Sequence, residues 1–125
     1  MGKNHSPKFL ATVEHSRKVI NECDIDQFSV MLNDGAQLIV IDVREQHEFD
    51  VGCFEGALHL SKGVIERDIE KHPISEEDRI VLYCGGGFRS ALAAESLARM
   101  DYTNVYSLWG GWRSLVATGL ATQNQ

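Results

Sequence analysis

Two uninterrupted aliphatic runs, Leu38-Ile39-Val40-Ile41 and Ile80-Val81-Leu82-Tyr83, constrain the fold of this chain more than any other feature. Each is too short for a core helix and lacks the polar alternation of a strand with one wet face. Runs of this kind suit strands buried on both sides of a parallel sheet. The segment between them supplies a short acidic helix around Glu45 to Val51, a strand over Ala57 to Leu60, and a helical pattern from Val64 to Lys71 that stops near Pro73. Beyond the second run, three glycines lead into Ser90 to Met100, where Ala91, Leu92, Ala94, Leu97 and Ala98 favour helix strongly. Val105 to Leu108 reads as another strand and Trp112 to Val116 as a short closing helix. Strands alternating with helices through short connections predict an α/β fold, with a parallel sheet covered on both faces.

Upstream of the first run, Ser6-Pro7 reads as an N-cap followed by proline at the first helical position, with Phe9, Leu10 and Val13 on one apolar face. A second helix follows. Asp24 and Gln27 have capping-box spacing, Phe28, Met31 and Leu32 recur at helical spacing, and Gly35 sits where a left-handed C-terminal cap belongs. At 125 residues the chain has room for one core. No apolar run approaches the roughly 18 residues of a membrane span, and the N-terminal stretch MGKNHSPKFLATVEHSRK has no secretory character. No membrane partner and a cytoplasmic location are expected.

Charge and side-chain inventory narrow the chemistry. Net charge is −6 and the basic residues are scattered, unlike the basic footprint of a nucleic-acid binder. An anion site here must be made locally, from backbone dipoles and one or two placed cations. Cys23, Cys53 and Cys84 are an odd number at long separations, which fits a reducing compartment better than a disulfide framework. The histidines form no metal pattern: His47-Glu48 opens like a zinc-protease motif, but position 51 is Val. No metal site is expected.

Chemistry concentrates in Tyr83-Cys84-Gly85-Gly86-Gly87-Phe88-Arg89-Ser90, between a buried strand and an alanine-rich helix. In open parallel sheets, ligands bind beyond the carboxyl ends of the strands, where helix amino termini also point. Three successive glycines cost backbone entropy in a mere connector, but they permit positive φ and let several N–H groups converge on one anion. Such donors, together with the Arg89 guanidinium, favour thiolate over thiol. Cys84 is the candidate nucleophile.

Asp42-Val43-Arg44-Glu45, Gly52-Cys53-Phe54-Glu55-Gly56-Ala57, Cys84 to Ser90, and Gly110-Gly111-Trp112 resemble, in that order, the successive signatures of the rhodanese homology domain. The resemblance implies a three-layer domain over residues 19–119, a five-stranded parallel sheet flanked by helices on both faces. A helix within residues 1–18 would pack on that domain, and residues 120–125 would form a loose tail. The first few residues are expected to be loose as well. The resemblance further implies transfer of sulfane sulfur from a small anionic donor such as thiosulfate, through a Cys84 persulfide and without a cofactor. The acceptor would be cyanide, a small thiol or a protein. Gly85, Gly86, Gly87, Phe88 and Arg89 become the donor-binding loop. Two departures stand out: Cys53-Phe54 replaces the family's usual His-Ile, and the loop carries one cation where many thiosulfate-using members have more.

The remaining candidates each have two readings. Ser90 either donates its hydroxyl to the sulfur or caps the helix. Asp42 and Arg44 either face the pocket or tie two loops together, the second being the better reading. Trp109 and Trp112 wall the pocket or, preferably, belong to the core. Gly56, Gly110 and Gly111 read as turn residues, and His47, His59, Cys23 and Cys53 as passive. Two other functions compete with sulfur transfer. A persulfide relay or sensor acting on a partner protein would keep the same cysteine. A cysteine phosphatase or arsenate reductase also joins a strand-end Cys to an Arg through an anion cradle, but needs one residue more between them than positions 85–88 supply, and position 90 is Ser.

Overall fold

The computed structural model describes residues 5–122. Helix α1 (Pro7–Arg17) precedes β1 (Asn21–Cys23), α2 (Ile25–Asn33), β2 (Ile39–Asp42), α3 (Gln46–Asp50), β3 (Leu58–His59) and α4 (Ile65–Asp68), which continues as a 3₁₀ turn over Ile69–Lys71. Then come β4 (Ile80–Tyr83), α5 (Phe88–Arg99), β5 (Val105–Leu108) and α6 (Gly111–Ala117). The five strands are all parallel, in the order β1-β5-β4-β2-β3. The two aliphatic runs are therefore central neighbours, registered from Ile39 opposite Ile80 to Asp42 opposite Tyr83.

Side-chain alternation divides the core. Ile41, Ile80 and Leu82 pack with Ile65, Ile69, Ala93 and Leu97 on one face, under α4 and α5. Val40, Val81 and Tyr83 pack with Phe28, Leu108 and Leu115 on the other, against α2 and α6. Both faces are covered, which is why the central strands carry no polar alternation. Helix α1 lies on α5: Val13 is buried and the Ser16 hydroxyl donates to Glu95 at 2.6 Å.

Local signals behave unevenly. Asp24 and Gln27 form the reciprocal capping box, each bond 2.8 Å, and Gly35 follows α2 at φ +81°. Ser6 precedes α1 with proline at its start, but its side chain makes no capping bond. The strand expected over Ala57 to Leu60 shortens to Leu58–His59. Helix α5 begins at Phe88, two residues before the expected Ser90, because Gly87 takes the N-cap position at φ +114°. Leu120 and Ala121, expected to open a loose tail, are held: both N–H groups donate to the Leu115 carbonyl, and Ala121 is buried. Thr122 is exposed, and the first four residues and residues 123–125 lie outside the described ones.

Candidate functional site around Cys84

Cys84 directly follows β4, and the alternation that sends Tyr83 to one face sends Cys84 to the other, beneath the amino end of α5. It is 1% exposed and lies at a pocket of about 500 Å³, whose wall includes Gly85, Gly86, Phe88, Arg89 and Trp112. The sulfur accepts the Gly87 N–H at 3.2 Å and the Ser90 N–H at 3.4 Å. It also meets Ser90 Oγ at 3.5 Å, and that oxygen is fixed by Ser107 Oγ at 2.8 Å. Ser90 therefore faces the sulfur and does not cap the helix.

Loop orientation follows from where its carbonyls go. Those of Cys84, Gly85 and Gly86 accept from Trp112, Arg113 and Gly110, at 2.7, 3.2 and 3.0 Å. In a trans peptide the N–H points opposite to the C=O of the same plane. The N–H groups of Gly85, Gly86 and Gly87 thus turn away from the start of α6. Among the three loop glycines only Gly87 uses positive φ; a Cβ there would also come within 2.9 Å of the Trp109 ring. Gly110 and Gly111, read from sequence as turn residues, also support this loop, since the Gly110 and Trp112 amides bind its carbonyls.

The Asp42–Arg44 pair is almost wholly buried. Arg44 donates to Asp42 at 2.7 to 3.1 Å and to the Gly52 carbonyl at 2.7 Å, and its guanidinium stacks 4.4 Å from the Trp112 ring centroid. The pair ties β2 to the loop at Gly52, while one edge of Arg44 reaches the pocket wall. Beside it the Tyr83 hydroxyl accepts the Phe54 N–H at 2.9 Å, and burial followed by the Asp42 contact raises the phenol well above its ordinary range.

Arg89 is not a lone cation. Its two terminal nitrogens donate to both oxygens of Glu48, at 3.0 and 3.3 Å. Burial works against the Glu48 carboxylate, but the Arg89 bonds prevail and hold it below the usual range. Sequence reasoning missed Glu48 as a site residue, because nothing local links α3 to a loop 41 positions away. It also missed Arg113, and it missed His5 and Phe9, which bring the start of α1 to the pocket wall and pack around Phe88. Trp112, assigned preferentially to the core, lines the pocket as well. The other cysteines sit apart. Cys23 is buried in β1, where burial and then neighbouring acids push its thiol up to about 12, and Cys53 is raised chiefly by burial. His59 bonds the Arg44 carbonyl at 2.8 Å and stacks on Phe49, a structural place.

A model of the rhodanese-like domain matches residues 24–118. The chain belongs to the rhodanese-like domain family. A chloroplastic rhodanese-like domain-containing protein 8 from Arabidopsis thaliana is 32% identical over 117 residues, covering 83% of this chain and 26% of that protein. Two solved structures, each 21% identical, share the fold. One is a Rhodopseudomonas palustris protein of unknown function described as a possible tyrosine phosphatase (TM-score 0.76, covering 95% of this chain and 96% of that one). The other is the human single-domain sulfurtransferase TSTD1 (TM-score 0.71, covering 77% and 95%). This rhodanese-like chain spans 55% and 60% of two relatives named for sulfur carriage and thiosulfate sulfur transfer, and 25% of a tRNA uridine(34) hydroxylase. Helix α1, with its contribution to the pocket wall, lies outside the matched stretch.

Proposed function

We propose that this chain transfers sulfane sulfur, from thiosulfate or a persulfide donor to a thiophilic acceptor, through a persulfide on Cys84. The observation that carries the reading is the convergence of the Gly87 and Ser90 N–H groups on the Cys84 sulfur, 3.2 and 3.4 Å away, at the pocket. The Cys84 thiolate attacks the outer sulfur of the donor. One S–S bond forms, the donor's own bond to that sulfur breaks, and sulfite or a thiolate departs. The acceptor, whether cyanide, a small thiol or a protein thiol, then takes the outer sulfur and restores the Cys84 thiolate. The Cys84 thiol donates to Ser90 Oγ, which Ser107 Oγ holds in place. No electrons leave the reacting partners, so the chemistry needs no cofactor. A reducing compartment such as the cytoplasm suits a working thiol of this kind.

A cysteine-phosphatase reading fits the geometry less well. A phosphoryl group presents three equatorial oxygens that call for a wider ring of donors and a free guanidinium, whereas positions 85–88 make a short loop and Arg89 is engaged by Glu48. Turnover assays distinguish the two. The purified chain should transfer sulfur from thiosulfate or cysteine persulfide in a Cys84-dependent way and leave p-nitrophenyl phosphate intact. Cys84-dependent phosphate hydrolysis faster than any sulfur transfer would overturn the proposal.

A further inference from the structure

The carboxylate of Glu48 faces the cation in the Cys84 loop. Both its oxygens accept from Arg89, and Oε1 also accepts the Glu45 N–H at 3.0 Å, so the first turn of α3 fixes the carboxylate in front of the guanidinium. Each side chain is about a third exposed, and both line the pocket at Cys84. A guanidinium grips an oxyanion through the same two parallel N–H donors that Glu48 occupies. Of the other charged side chains at the wall, Arg44 is paired with Asp42 beneath it, and Arg113 and Glu45 are of opposite sign; His5 and His47 line the pocket as well.

We propose that Glu48 is a specificity-determining residue that turns this site away from oxyanion sulfur donors such as thiosulfate and toward organic persulfides. The inference rests on the sulfur-transfer reading of Cys84. A dianionic donor must displace the Glu48 carboxylate to reach the Arg89 fork, or bind without it beside a fixed negative charge. The persulfide group of an organic donor, R–S–SH, carries at most one charge, on the sulfur being transferred, and presents no oxyanion to the guanidinium, while the Gly87 and Ser90 amides lie at the Cys84 sulfur that attacks it. In that transfer Cys84 Sγ bonds to the outer sulfur, the S–S bond of the donor breaks, and RS⁻ leaves. With thiosulfate the same attack expels sulfite, whose three oxygens find the guanidinium already engaged.

The test compares the rate of sulfur loading on Cys84 from thiosulfate and from cysteine persulfide, in the full chain and in Glu48→Gln. The amide keeps an oxygen for the Glu45 N–H and for Arg89 while removing the charge. Loading from thiosulfate should rise about tenfold per unit donor concentration, as removal of one nearby like charge in a half-buried site allows. Loading from the persulfide should stay within about twofold. Glu48→Asp, which keeps the charge but withdraws it by one methylene, should raise thiosulfate loading less than Glu48→Gln and serves if the latter does not fold. Equal changes for both donors, or slower loading from thiosulfate, would overturn the assignment of Glu48 while leaving sulfur transfer intact. No loading from either donor in any of the proteins would overturn the sulfur-transfer reading and this inference with it.

Discussion

Gly111 lies so close to the carbonyl of Cys84 that a Cβ in its place would overlap the carbonyl oxygen. Its φ is +47°, and the next amide, that of Trp112, donates to the same oxygen at 2.7 Å. The loop that holds Cys84 is therefore seated on the first turn of α6. Gly111→Ala should displace the Cys84 loop. The left-handed backbone alone costs roughly 1–2 kcal/mol for a residue with a Cβ. Thermal melting should report at least that loss, and the rate of sulfur loading should fall more than about tenfold, the equivalent of 1.4 kcal/mol. Unchanged loading would mean that the loop does not depend on this contact.

The Asp42–Arg44 pair makes a separate prediction about stability. Asp42 is 0% exposed and its carboxylate is held by the Arg44 guanidinium and backbone N–H. Arg44→Met leaves that carboxylate buried without its partner, and breaking a buried pair in this way costs about 3–5 kcal/mol. Asp42→Asn combined with Arg44→Met should recover part of the loss, because no isolated charge remains. Urea denaturation of the single and double variants measures both. A single variant as stable as wild type would contradict the buried-pair account.

Acid stability should depend on a site far from Cys84. Arg79 donates to both oxygens of Asp34, at 2.7 and 3.0 Å, and these bonds, followed by the Ala36 N–H, lower the Asp34 carboxyl from 3.8 to about 2. A carboxyl depressed in the folded state stabilises above its unfolded value and loses that contribution as pH falls through its folded value. The difference in melting temperature between wild type and Asp34→Asn should thus be present at neutral pH and close between about pH 4 and about pH 2. A difference that persists unchanged below that window would show that Asp34 does not titrate there.

Much of this arrangement could be read in the sequence wherever one segment determines its own structure. Ile80–Tyr83 and Val105–Leu108 form strands over the bounds their aliphatic character suggests, and the Asp24–Gln27 capping box closes as its spacing requires. Strand β1 could not be read in this way. Asn21-Glu22-Cys23 carries one apolar side chain and is a strand because the edge of β5 pairs with it. The same limit hid Glu48, whose meaning depends on Arg89, and Gly111, whose meaning depends on the Cys84 carbonyl. Cys84 itself could be singled out, because strand, glycines, arginine and helix follow one another along the chain.

The central claim is that one thiol of three carries sulfur, and the most direct test is the intact mass of the purified chain before and after a sulfane donor, with the gain mapped by peptide. A single added sulfur should appear on Cys84 and vanish in Cys84→Ser. Cys23→Ser and Cys53→Ser should load as wild type, since burial raises both thiols, Cys23 to about 12, and neither sits in an amide-lined loop. A gain that survives Cys84→Ser, or no gain from either thiosulfate or cysteine persulfide, would contradict the account.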